Sequence, residues 1–157
     1  MSENAPVLIR RAEGADIATI IQFVRQEAME AEGHPLDHLQ VDRGVRAAFE
    51  RPGLASYWVL LVGGEIVGSA STVGEWSDWR AGTYWWLQSV YFLPEWRGKG
   101  LARKLLQHIE AEAKACGVLE CRLYVHEANG RAIRAYGKAG FAVGPYRILS
   151  KKLVPEA

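Results

Sequence analysis

From Val90 to Arg103 the chain runs Val-Tyr-Phe-Leu-Pro-Glu-Trp-Arg-Gly-Lys-Gly-Leu-Ala-Arg. The β-prone residues stop at Pro94, which cannot donate to a sheet ladder. A loop holding Gly98 and Gly100 follows, and an apolar repeat of about four residues starts at Leu101. A helix that opens directly out of a glycine loop leaves its first N–H groups unbonded and points its positive dipole end at the loop. Such an end binds anions. Gly98 and Gly100 let the backbone approach a guest closely, and Arg97, Lys99 and Arg103 add positive charge, so a pyrophosphate is the natural guest. Two well-known phosphate motifs are absent. There is no Gly-x-x-x-x-Gly-Lys-Ser/Thr, and Arg103 stands where a Gly-x-Gly-x-x-Gly pattern needs its third glycine.

The charge distribution fits this picture. The 157 residues carry a formal net charge of +1, which gives no hint of a nucleic-acid partner. That total hides a split. Residues 1–96 hold 7 Lys and Arg against 13 Asp and Glu, while residues 97–157 hold 12 against 5. The sign changes at Arg97, where the basic loop starts, so a basic half suits an anionic ligand and an acidic half suits a cation. Cys116 and Cys121 are too few for a disulfide framework or a zinc site and read as reduced thiols. His34 and His38 are four apart, but Pro35 lies between them and no third ligand is near, so no metal is expected. The start of the chain lacks a signal-peptide core and no stretch is long enough to span a bilayer. The expectation is a cytoplasmic protein with no membrane partner.

These residues need a scaffold. Val7 to Ala12 reads as a strand, and Asp16 as the N-cap of a helix in which Ile17, Ile20, Ile21 and Val24 recur, ending near Ala28. Glu30 to Gln40 breaks the pattern at Gly33 and Pro35, and a second helix is expected over Val41 to Phe49. Strands follow at Tyr57 to Val62 and Glu65 to Val73, joined by a Gly63-Gly64 turn. After a polar loop around Glu75 to Gly82 comes a strand from Thr83 to Leu93. A helix is expected over Gly100 to Cys116, a strand over Leu119 to Val125, a helix over Asn129 to Lys138 closed by Gly140, and one or two strands between Phe141 and Leu153. This order predicts one mixed α/β domain over residues 1–157, with no interdomain linker.

Arg97-x-x-Gly100-x-Ala102 resembles the Arg/Gln-x-x-Gly-x-Gly/Ala signature of the GNAT superfamily of acyl-CoA-dependent N-acyltransferases. The run from Asn129 to Phe141 is similar to the superfamily's Asn-x-x-Ala-x-x-x-Tyr-x-x-x-Gly-Phe segment. The resemblance implies a mixed, mostly antiparallel central sheet flanked by helices, and acetyl-CoA as acyl donor. It implies that main-chain groups at Val90, Tyr91 and Phe92 pair with the pantetheine arm like an added strand. The loop and first helical turn, from Arg97 and Gly98 through Lys99, Gly100, Leu101 and Ala102 to Arg103, would then hold the pyrophosphate. Asn129, Arg131 and Ala132 belong to the same cofactor surface, and Tyr136 takes the place of the tyrosine that protonates the departing CoA thiolate. Dimers are common among the resembling enzymes, so a homodimer is an open expectation.

The stretch from Glu75 through Trp76 and Trp79 to Trp86 and Gln88 is similar to the diamine acetyltransferase branch, which includes the spermidine/spermine and thialysine enzymes. The resemblance implies transfer to a primary amine of a small molecule, polyamine-like in one version, by direct attack in a ternary complex. An amine of pKa about 10 is protonated at neutral pH and must lose a proton before it attacks. The diamine branch carries a glutamate where this chain has Gln88, and an amide cannot serve as a base. Candidate carboxylates are Glu27, Glu30, Glu32, Glu75 and Asp78. Glu27 and Glu30, with Trp76, Trp79, Trp86 and Gln88, form the expected acceptor surface, where a tryptophan face can meet a cation. Two other functions stay open: acetylation of a protein N-terminus or lysine, and a non-catalytic acyl-CoA-binding sensor.

Overall fold

Five strands form one sheet in the order β1-β2-β3-β4-β5. They are β1 (Val7–Arg11), β2 (Ser56–Val62), β3 (Glu65–Ser77), β4 (Gly82–Phe92) and β5 (Glu120–Leu123). The first four pair antiparallel, and β5 runs parallel to β4. The helices are α1 (Ile17–Glu32), α2 (His38–Glu50), α3 (Leu101–Ala115) and α4 (Gly130–Lys138). A parallel pair needs a long crossover, and α3 lies on the one between β4 and β5. The computed structural model describes residues 5–155. Residues 1–4, part of the stretch in which no signal peptide is expected, and 156–157 lie outside it. Among the described residues no helix is long and apolar enough to cross a membrane.

The chain divides into two compact units, residues 1–124 and 125–157. In the first, alternation along the strands separates two faces. Val59 and Leu61 join Ile20 and Ile21 of α1 and Val41 and Val45 of α2 in one apolar cluster. Trp58, fully buried, points the opposite way and packs on Trp85, their ring centroids 5.6 Å apart. The α3 residues Leu105 and Ile109 are equally buried, at helical spacing.

Several boundaries differ from those the sequence predicts. α1 runs four residues past Ala28 and stops only at Gly33, whose φ of 75° is the left-handed turn that ends many helices. α2 starts three residues early because the Asp37 side chain accepts a hydrogen bond from the Leu39 N–H at 2.8 Å. Asp16 sits at the α1 N-cap but does not cap it. Its buried carboxylate accepts from Arg10 at 2.6 Å and from the Glu13 N–H at 2.7 Å. The Arg10 bond holds the Asp16 carboxyl below the usual range.

In the second unit, the Asn129 side chain accepts from the Ala132 N–H at 3.1 Å and starts α4. Gly140, at φ 96°, ends it and lets the Phe141 N–H reach the Tyr136 carbonyl at 3.0 Å. The Phe141 ring then meets the Tyr136 ring edge-on at 5.7 Å. The strands expected between Phe141 and Leu153 are not there. No strand follows Leu123 among the described residues, and Val143, Tyr146, Leu149 and Leu153 are exposed. These residues are β-prone, but propensity makes no strand without a ladder partner.

Candidate active site

β4 pairs with β3 as far as Phe92, but with β5 only from Tyr84 to Leu87. From Gln88 to Phe92 its other edge has no strand beside it among the described residues. The pairing with β3 is broken between Ala70 and Thr72, so that Ser71 faces both Gln88 and Ser89. This is a β-bulge, a feature that often re-aims groups beside active sites. Side chains meet two of its N–H groups. Ser89 N–H donates to Ser71 Oγ at 3.2 Å, and Val90 N–H donates to Glu27 Oε1 at 3.3 Å.

A cleft of about 450 Å³ opens beside the bulge. Gln88 and Ser89 line it from β4, Val73 from β3, Tyr57 from β2, and Val24, Val41 and Val45 from the two helices. Gly44 and Ala48, one turn apart on α2, also line it and are small enough to leave the space open. The lining is mostly apolar with two polar groups at the bulge, a composition typical of small-molecule sites of this size. Of the acceptor residues expected from sequence, only Gln88 lines this cleft. Helix α2 was not among the expected site elements, although the small residues Gly44 and Ala48 beside the buried Val41 and Val45 are the signal that marks it.

The candidate carboxylates separate by environment. Glu30 bonds Arg97 at 2.9 Å, Glu32 lies 3.5 Å from His34, and Asp78 is on the turn between β3 and β4. Glu75 accepts from Trp86 Nε1 at 3.1 Å and faces Arg122 at 3.3 Å. Glu27 differs. Burial pushes its carboxyl up to about 7, the Val90 N–H and Ser89 pull it down, and Glu30 pushes it further up. The Tyr57 hydroxyl is raised by burial and by the charge of Glu27.

The tryptophans also divide. Trp86 stacks on Tyr124, with ring centroids 4.5 Å apart, and Trp85 goes to the core. Trp76 and Trp79 are 67% and 86% exposed near the hairpin end.

On the basic side, the loop is built from both directions. Arg97 Nε donates to the Phe92 carbonyl at 2.8 Å, its other end holds Glu30, and its guanidinium lies 5.2 Å from the Tyr91 ring centroid. Arg97 thus ties the loop to β4 and α1. Lys99 lies over the Trp96 ring. Gly98 and Gly100 have φ of 75° and 76°, and Gly100 is the N-cap of α3, with no side chain bonded to the first turn. The amides of Leu101, Ala102 and Arg103 therefore end the helix without intrahelical partners, as an anion site requires. Asn129, Arg131, Ala132 and Tyr136 all lie in the second unit, on or at the start of α4.

The sequence pattern of the acetyltransferase (GNAT) family matches residues 21–141. The match runs over most of the chain, through the mixed sheet and the glycine-loop helix start, and the chain belongs to the GNAT family of acetyltransferases. It is 33% identical over 138 residues to the L-methionine sulfoximine/L-methionine sulfone acetyltransferase of Salmonella typhimurium, covering 86% of this chain and 80% of that one. It is 26% identical over 152 residues to the thialysine N-epsilon-acetyltransferase of Bos taurus, covering 85% and 83%. A possible acetyltransferase from Clostridium difficile, solved by crystallography, superposes with a TM-score of 0.89 at 31% identity over 95% of this chain and 99% of that chain. The protein is an N-acetyltransferase enzyme of this family.

Proposed function

We propose that the protein transfers an acetyl group from acetyl-CoA to the primary amine of a small molecule by direct attack in a ternary complex. The observation that carries this is the cleft at the β4 bulge, next to a strand edge that has no strand beside it from Gln88 to Phe92 among the described residues. A pantetheine arm running along that edge as an added strand would bring its thioester to the bulge, with the pyrophosphate at the α3 N-terminus. The amine enters from the α1/α2 side. Residues 1–157 act as one acetyltransferase domain, which is supported by a family pattern running through both units. Tyr136 supplies the proton to the departing thiolate, as the family resemblance implies.

The cleft favours an amine on a short apolar body over a long polycation. Val24, Val41, Val45 and Val73 line it, while Glu30 and Glu75 are already engaged by Arg97 and Arg122. The Salmonella relative, named for methionine sulfoximine and methionine sulfone, agrees with a short acceptor, and the thialysine relative keeps a longer diamine in view. Release of the CoA thiol from acetyl-CoA is measured with amino acids, methionine derivatives, thialysine, spermidine and a peptide N-terminus. Turnover is expected to be highest for short amines with an apolar side chain. Measurable acetyl-CoA binding with no CoA release above background for any amine sinks the proposal.

A further inference from the structure

Gln88 removes the carboxylate that the diamine branch carries in β4, so the proton on the incoming ammonium needs another acceptor. We infer that Glu27 of α1 is the general base for the acceptor amine, standing at the β4 bulge. This inference rests on the acetyltransferase function proposed above.

Three cleft-lining residues from three elements bracket Glu27. Val24 lies one turn before it on α1, Ser89 precedes the Val90 whose N–H it accepts, and Tyr57 on β2 is close enough to feel its charge. The charged and polar groups acting on it are few: Val90 N–H and Ser89 from β4, Glu30 from its own helix, and Tyr57 from β2. Of the other candidates, Glu30 and Glu75 are paired with arginines, Glu32 is exposed 3.5 Å from His34, and Asp78 lies on the turn between β3 and β4. A base works best when its pKa lies near the working pH, and burial places Glu27 at about 7.

The proton balance is complete. The ammonium gives one N–H proton to the Glu27 carboxylate, directly or through one water. The nitrogen lone pair then bonds the thioester carbonyl carbon, and the C–S bond breaks as the tetrahedral adduct collapses. The second nitrogen proton leaves as the amide forms and, through solvent, restores to Tyr136 the proton that Tyr136 gives to the thiolate, while Glu27 releases its own to solvent. The products are the amide, CoA thiol and one proton to bulk.

Glu27→Gln separates the base from a merely structural role, because the amide oxygen still accepts from Val90 N–H. Acetyl-CoA affinity is measured by calorimetry, and kcat/KM for a responsive amine is followed from pH 5.5 to 9. The wild type is expected to lose activity below an apparent pKa near 7. Glu27→Gln is expected to lose that limb and run about 10²-fold slower or worse, with acetyl-CoA affinity within about threefold of wild type, and Glu27→Asp is expected to restore part of the rate together with the limb. A Glu27→Gln enzyme that keeps the limb and a near-wild-type rate overturns the assignment. Loss of acetyl-CoA binding alongside turnover makes Glu27 structural and also overturns it. A wild type that binds acetyl-CoA but acetylates no amine overturns the underlying function, and the assignment with it.

Discussion

Glu27→Gln should stabilise the protein at pH 8 far more than at pH 5. The Glu27 carboxyl has an ordinary pKa of 4.5 and is raised by burial to about 7 in the folded chain. Below 4.5 it is neutral in both states and has no effect on the balance. As pH rises, the unfolded chain ionises it first, so stability falls until the folded chain also ionises it near 7. Above that the loss is complete. At about 1.4 kcal/mol per pH unit the gap corresponds to roughly 3 kcal/mol. Glutamine does not titrate and avoids this loss while keeping the Val90 hydrogen bond. Asp16, whose carboxyl is shifted the other way, is present in both proteins and cancels in the difference. For a domain of this size each kcal/mol moves the melting temperature by about 2–4 °C. The advantage of the variant should therefore grow by roughly 5–10 °C between pH 5 and pH 8, measured by scanning calorimetry on both proteins. A difference that stays constant across that range refutes the buried, perturbed carboxyl. The expected result is a protein made more stable and less active by one change, as happens when a strained site is relaxed.

Three other substitutions test other parts of the site. Tyr136→Phe should cut turnover strongly and leave acetyl-CoA affinity nearly unchanged by calorimetry; an unaffected rate removes Tyr136 as the acid. Gly100→Ala places a Cβ at φ 76°, at a cost of about 1–2 kcal/mol, and should raise the KM for acetyl-CoA several-fold with a smaller effect on kcat. Gly68→Ala drives a Cβ into the Phe92 ring, and urea unfolding should show a loss of about 1–3 kcal/mol.

Elements with strong local signals were legible in the sequence. The four-residue apolar repeat of α3, the Gly63-Gly64 hairpin and the Asn129 and Gly140 ends of α4 all stand where their residue types predict. The basic loop was legible because glycine spacing and charge together leave few alternatives. The cleft was not, since it depends on small residues of α2 meeting Tyr57 and Val73 from distant strands. Nor was the bulge, because Gln88 and Ser89 are ordinary strand residues and only pairing with Ser71 shows that one is extra. Among the carboxylates, sequence put Glu27 and Glu30 on equal footing. Only the fold separates them, by giving Arg97 to Glu30 and the part-buried Val90 amide to Glu27. The missing C-terminal strands are the converse case, where composition favoured a strand that has no ladder.

The bulge in β4 also has a counting consequence. Trp85 meets Trp58 on one side of the sheet, yet Tyr91, six residues later, packs on Phe23 of α1 at 5.1 Å. A strict two-residue repeat would send both the same way. The extra residue acts as a phase slip: odd-numbered side chains change sides between Leu87 and Tyr91, and the even-numbered ones change with them. Deleting either Gln88 or Ser89 alone would remove the bulge yet leave Tyr91 and Phe92 on the faces they hold now, because one residue opposite Ser71 restores strict alternation between Leu87 and Val90. Substitutions at these two positions test chemistry, whereas a one-residue deletion there tests the bulge itself, with the pairing on either side of it kept.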